Sequence, residues 1–246
     1  MAAAANQIAV LTGIKRHPTQ VRRFLKKIGM KPRRVAAVPA KADVQVQKEF
    51  LAQSLEPKLA EAQAGRRAVF FVDAAHFVHA PFLGIVWCFA RLFIKAPAGR
   101  RRFNVLGALN AVTKELVTVC NDTYINAASV CRLLDRLAAL CPTVPVSLVM
   151  DNARYQRCAL VQAHAKQLGL ELLFLPSYSP NLNLIERLWR HVKKECLYSR
   201  YYADFAEFKQ AIAACLEHTA LRDKEKLRTL LSLRFQIFEQ VDRKAA

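Results

Sequence analysis

Two short apolar runs, Val69-Phe70-Phe71-Val72 and Val146-Ser147-Leu148-Val149-Met150, each end in an aspartate, Asp73 and Asp151. Runs of this length and composition read as buried strands. A carboxylate at the end of a buried strand is costly unless it is paired or ligates a metal. If the two strands are neighbours, both aspartates emerge at one edge of the sheet. A third acid, Glu186, follows another strand-like run, Leu170 to Leu175, and lies in the first turn of a helix opening at Asn183. That helix can fold back over the same edge. An all-oxygen set of this kind suits Mg²⁺ or Mn²⁺, and two such ions suit phosphodiester chemistry. Each acid also has a purely structural reading. Asp73 could sit in a strand-end turn, Asp151 could form an Asx turn or a helix cap, and Asn183 with Glu186 has capping-box spacing.

The rest of the chain supplies the order of elements. Strands are expected at Val69–Val72, Ile85–Ile94, Phe103–Val112 and Leu116–Val119, with a hairpin turn at Thr113-Lys114-Glu115. Ala127–Leu140 then shows helical spacing, followed by the strand Val146–Met150, a helix at Cys158–Leu168 ended by Gly169, the strand Leu170–Leu175 and the helix from Asn183 to about Cys196. Phe205 to Val241 reads as helical with a break near Leu221 to Lys224. Hairpin-linked strands followed by alternating helix and strand predict an α/β fold, a ribonuclease H-like mixed sheet flanked by helices. The expected division is a basic N-terminal segment and linker over 1–46, a connecting helix over 47–66, a catalytic domain over 67–200 and C-terminal helices over 201–246.

Charge points to the partner. The formal net charge is +19 on 246 residues, and ten basic residues precede the first acid, Asp43. Such an excess implies a polyanion, most often nucleic acid. Thr19 can cap a helix over Gln20–Ile28, with Val21, Phe24, Leu25 and Ile28 on one face, Arg22, Arg23, Lys26 and Lys27 away from it, and Gly29 as its stop. This pattern fits the groove-entering helix of a helix-turn-helix, and equally an amphipathic helix with a solvated basic face. On the helix of Glu186, the residues Arg190 and Lys193 share its face, and Lys194 adjoins them. These basic groups and Arg100 to Arg102 are expected to meet DNA phosphates. Seven scattered cysteines without a CxxC pair read as reduced thiols in a cytoplasmic protein. His76 and His79, three apart on a strand, face opposite sides and do not suggest a shared zinc. The most apolar stretch, Phe82–Ile94, is interrupted by Arg91 and too short for a membrane span.

The segments Leu148-Val149-Met150-Asp151-Asn152-Ala153 and Leu173 through Pro176-Ser177-Tyr178-Ser179-Pro180-Asn181-Leu182-Asn183-Leu184-Ile185-Glu186-Arg187-Leu188-Trp189, with 34 residues between Asp151 and Glu186, resemble the mariner-type DDE transposases, most closely their bacterial insertion-sequence branch. The resemblance runs from about Val69 to Lys194. It implies two Mg²⁺ or Mn²⁺ ions held by Asp73, Asp151 and Glu186, cleavage at element ends, and joining of the 3′ ends to target DNA. It further implies double-stranded DNA as partner, a homo-dimer or larger assembly, and a cytoplasmic, nucleoid-associated bacterial protein. Two departures stand out. Many members carry Glu after the first Asp, whereas Ala74-Ala75-His76-Phe77 follows Asp73, with His76 expected as a core histidine. Members also carry a longer N-terminal region, so the chain reads as N-terminally truncated. Two further readings follow: a catalytically silent DNA-binding remnant, and a ribonuclease H-like nuclease.

Overall fold

The structure, a computed structural model, describes all residues except 33–38, 81–88, 91–92, 94–100, 142, 199, 222–223 and 239–246. It comprises two compact units, Met1–Val38 and Pro39–Ala246.

In the smaller unit, α1 (Ala2–Thr12) precedes α2 (Pro18–Lys27). The cap of α2 is His17 rather than Thr19. Pro18 takes the first helical position, where its fixed φ fits and its missing N–H costs nothing. The His17 ring nitrogen accepts from the Thr19 amide, and the Gln20 side chain accepts from the His17 amide. Gly29, at φ 87°, ends the helix as expected, and Met30 N–H bonds back to the Leu25 carbonyl. Of the expected apolar face, Val21 is buried, whereas Phe24 and Ile28 are more than half exposed.

The larger unit is built on one five-stranded sheet. Its strands are β1 (Ala68–Val78), β2 (Arg102–Asn110), β3 (Leu116–Asn121), β4 (Val146–Met150) and β5 (Leu170–Phe174), in the order β3-β2-β1-β4-β5. The β1–β2 and β2–β3 pairs are antiparallel, and β1–β4 and β4–β5 are parallel. This is the mixed sheet the element order predicts. The strand expected over Ile85–Ile94 falls mostly outside the described residues. Phe89, Ala90 and Phe93, which are described, lie in no strand, and β1 pairs directly with β2.

Alternation along β1 feeds two cores. Ala68, Phe70 and Val72 pack with α5 (Ala127–Leu140) and α6 (Ala159–Gln167) through Val130, Leu133, Leu134, Leu137 and Val161. Val69, Phe71, Ala75 and Phe77 face the other way. Against them lie Leu51, Leu55 and Leu59 from the helical stretch preceding β1, and Ile185, Leu188, Trp189 and Val192 from α7 (Ile185–Cys196). Phe208, Ile212 and Leu216 of α8 (Phe205–Leu221) and Leu227 of α9 (Lys224–Leu230) complete this core. Fully burying each large apolar side chain contributes about 1.5–3 kcal/mol. The stretch before β1 is α3 (Val44–Glu49), a π-helical turn (Phe50–Leu55) and α4 (Glu56–Gln63). Pro57 explains the wide turn: it has no N–H for an i−4 bond, and Glu56 N–H reaches five residues back to Leu51.

Two boundaries differ from expectation. The C-terminal helix stops at Leu230, and residues 231–238 are not helical. The carbonyls of Ser232 and Arg234 there accept from the Arg187 guanidinium at 2.7 Å each, which substitutes for helical bonding. Helix α7 begins at Ile185 rather than Asn183, with no side-chain cap, and Asn183 Nδ2 donates across to the Val72 carbonyl.

At the edge of the sheet where β1, β4 and β5 start, Arg67 donates to Glu61, Ser147 and Glu171, and Lys58 pairs with Glu171 at 2.8 Å. Burial raises the Glu171 carboxyl, but hydrogen bonds from Lys58 and Ser147 and the charges of Lys58 and Arg67 outweigh it, and the net shift is downward from 4.5. A carboxylate lowered on folding contributes stability that is present above its unfolded pKa and lost as pH falls through its folded value. Urea unfolding of wild type and Glu171→Gln should therefore show a stability gap at pH 7 that closes as pH falls below about 4; a gap independent of pH would contradict this.

Candidate functional site

Register explains how the acids converge. The β1–β4 pairing ends at Phe71↔Val149, whereas β1 continues alongside β2 through Asp73↔Gly107 to Val78↔Arg102. Asp73 is thus mid-strand rather than at the strand's end. It stands where its parallel neighbour stops. Two residues further in that register, Asp73 comes level with Asp151. By alternation both share the face of Phe71 and Val149, the face covered by α7, and Glu186 lies in the first turn of α7.

Asp73, Asp151 and Glu186 line one cavity of about 360 Å³, with Asn152, Ala153, Asn183 and the Leu175–Pro180 loop. Asp73 is pushed up to about 7. Burial is the largest cause, followed by the charge of Glu186; the Ala74 amide opposes, Asp151 adds to the rise, and the Trp189 indole opposes. Burial and the charges of Asp151 and Asp73 push the nearby Tyr155 phenol up to about 12.

The loops around the acids are tied down. Asp151 Oδ1 accepts from the Ala153 amide at 3.0 Å, the Asx turn anticipated as its structural role, here compatible with facing the cavity. Asn152 Nδ2 donates to the Leu175 carbonyl and so joins the ends of β4 and β5. Arg157 donates to Asn152 Oδ1 at 3.0 Å. From α3, the buried Gln47 donates to Ser179 Oγ and accepts from Asn181, fixing the loop that forms the opposite wall. Neither Gln47 nor Trp189, whose indole N–H donates to Asp73 Oδ2 at 3.0 Å, was singled out by sequence reasoning as a site residue. In sequence Trp189 appears only as the last residue of the segment that carries the resemblance, with no role assigned to it.

Other sequence-chosen residues lie elsewhere. Arg190 and Lys194 line a second cavity with Arg187, His191 and Glu195. Lys193 Nζ lies 5.8 Å from the centroid of the Phe77 ring. Arg22, Arg23, Lys26 and Lys27 are exposed on α2 in the smaller unit. Arg101 packs over Phe205, and Arg100 is outside the described residues. His76 is not a core histidine. It is exposed, with Nδ1 2.7 Å from Asn104 Oδ1, because its strand position points to the sheet face beyond the cover of α5. His79 is the buried one, with Nε2 3.2 Å from the Tyr202 carbonyl.

The donors facing the cavity are carboxylate and amide oxygens, a set that fits a hard divalent cation. Among the described residues, no three His, Cys, Asp or Glu side chains stand close enough to enclose a single ion. The acids instead surround the cavity, where their mutual repulsion and the desolvation of Asp73 are costs that a cation between them would remove. Asn183 Oδ1 is buried beside this cavity without a hydrogen-bond partner.

Residues 90–209 match the family model described as DDE superfamily endonuclease. This segment contains Asp151 and Glu186 and begins after Asp73. The fold resembles the Mos1 transposase paired-end complex with left transposon end (TM-score 0.62, 14% identity, covering 94% of this chain and 75% of that one). It also resembles the mariner Mos1 paired-end complex with Mg (0.60, 16%, 93% and 70%). A third similar structure is the Mos1 transposase catalytic domain and Raltegravir with Mn (0.55, 14%, 82% and 92%). No curated protein matches the sequence. The sheet order and the likeness define a ribonuclease H-like fold.

Because the folded Asp73 carboxyl is raised above its ordinary 3.8, its ionisation opposes folding, with the full cost present above about 7. Asp73→Asn keeps an acceptor for Trp189 and removes that charge. At pH 8 without divalent ions, its melting temperature should exceed wild type by roughly 2–4 °C. Mn²⁺ should raise the melting temperature of wild type and not of the variant. A lower metal-free melting temperature in a folded Asp73→Asn would contradict the repulsion.

Proposed function

We propose that this chain is the catalytic part of a DDE transposase, cutting DNA at element ends and joining the freed 3′ ends to target DNA. The observation that carries the reading is the meeting of Asp73 from β1, Asp151 from the loop just past β4 and Glu186 from α7 around one cavity. The Mos1 complexes with Mg and Mn support a dependence on divalent metal. In this reading the three carboxylates hold two Mg²⁺ or Mn²⁺ ions. Bound there, the ions would supply activation of an attacking water or 3′-hydroxyl and neutralisation of charge on the leaving oxygen.

The chain's own groups have distinct tasks. Asp73, Asp151 and Glu186 concentrate negative charge at the mouth of the sheet. The Asx turn at Asp151 and the Asn152 clamp hold one wall, and Gln47 holds the other, so the acids are preorganised. Arg190, Lys193 and Lys194 follow Glu186 along α7 and would hold DNA phosphates beside the site. Arg22, Arg23, Lys26 and Lys27 on α2 would hold duplex DNA further out. The division into a DNA-binding segment over 1–46, a connecting helix over 47–66, a catalytic domain over 67–200 and C-terminal helices over 201–246 belongs to the same proposal. So does self-association, since two element ends must be held together. Among the described residues no helix is long and apolar enough to cross a membrane.

Nicking of supercoiled plasmid tests this reading. Wild type should nick with Mg²⁺ or Mn²⁺ and not with EDTA. Asp151→Ala should lose at least about a hundredfold in rate, since a metal centre stabilises a transition state by several kcal/mol. Folded wild type that binds DNA yet nicks with neither metal would instead favour a silent DNA-binding protein.

A further inference from the structure

Gly107 occupies the interior of β2, where glycine is ordinarily unfavourable and no positive φ requires it. A Cβ there would lie 2.7 Å from Trp189 Cη2, 2.8 Å from Cζ2 and 3.1 Å from Ile185 Cδ1. The absent side chain is therefore space for the indole. Gly107 is also the residue registered directly opposite Asp73. The indole, 2% exposed, is bounded by the Gly107 backbone and packs edge-on to Phe77, with centroids 6.4 Å apart at 87°. Its N–H, a donor with no acceptor function, reaches Asp73 Oδ2 at 3.0 Å.

We propose that Gly107 and Trp189 form a positioning unit for the Asp73 carboxylate: the glycine admits the indole, and the indole N–H fixes the carboxylate for metal binding. The inference rests on the proposed metal site. The indole ring is held on both sides, so its N–H has one direction in which to donate. A charge-assisted bond from a rigid donor costs Asp73 little further ordering and leaves the carboxylate oriented. Partners of this kind, behind metal ligands, commonly carry 10–100-fold in metal affinity. Of the three acids Asp73 is the one inside a strand, so its orientation cannot be adjusted by moving a loop.

The test uses the full chain as wild type, Trp189→Phe, Gly107→Ala and the double variant, each checked for folding by circular dichroism. Plasmid nicking is followed against Mn²⁺ concentration. Trp189→Phe should raise the half-saturating Mn²⁺ about tenfold, and Gly107→Ala should do likewise by displacing the indole. The double variant should be no worse than Trp189→Phe, because phenylalanine vacates the space the new methyl needs. Unchanged half-saturating Mn²⁺ in folded Trp189→Phe, or additive losses in the double variant, would overturn the proposal. A readout independent of activity uses ¹⁵N-labelled protein. The chain has 2 tryptophans, Trp87 and Trp189, and Trp87→Phe assigns the Trp189 indole resonance. Mg²⁺ titration should move that resonance, and a resonance that stays fixed would overturn the proposal even if the variants do not fold. Wild type that shows the indole shift without nicking would count against the proposed activity and for the positioning unit.

Discussion

Everything at the candidate site depends on the parallel pairing of β1 with β4. That pairing brings two aspartates, 78 positions apart in sequence, to the same level of one sheet edge and onto one face. Because β4 stops there while β1 runs on beside β2, the edge is a step rather than a clean end. Asp73 is half-buried against β2 and α7, whereas Asp151 sits on the loop that leaves the sheet. The step gives the two carboxylates different surroundings although they are alike in chemistry. It also explains why burial is the leading cause of the upward shift of Asp73.

The fold bears the cost of gathering like charges by surrounding the site with apolar packing that is indifferent to charge. Phe70 and Val72 anchor β1 to α5 and α6 on one face, and Val69, Phe71 and Phe77 anchor it to α7 and α8 on the other. Asp73 is the one acid in this otherwise apolar alternation. Stability comes from both cores and from the Arg67, Glu171 and Lys58 cluster at the far edge. The edge of the candidate site carries the unfavourable electrostatics, which is in keeping with the proposed cation site.

Much of this was legible in sequence because it depends on period and local chemistry. Ala127–Leu140 has a helical stripe, and Val146–Met150 is an apolar run bounded by proline and aspartate; both elements appear with those bounds. Asp73, Asp151 and Glu186 could be chosen because charges bordering apolar runs need a reason. Other features lacked a local signal. The extension of β1 past Asp73 depends on β2, which comes from a distant part of the chain. Pro18 moved the cap of α2 to His17, where no side chain of ordinary capping type announces it. Trp189 and Gly107 look like core and an incidental glycine until register sets one opposite Asp73 and the other against it.

The central claim is that the three carboxylates form one divalent-metal centre. Crystals of the full chain grown with Mn²⁺, measured at the manganese absorption edge, test it most directly. The account predicts anomalous peaks inside the cavity, within coordination distance of Asp73, Asp151 and Glu186. Well-ordered crystals at saturating Mn²⁺ with no peak in this cavity, or with manganese bound only elsewhere, would contradict it.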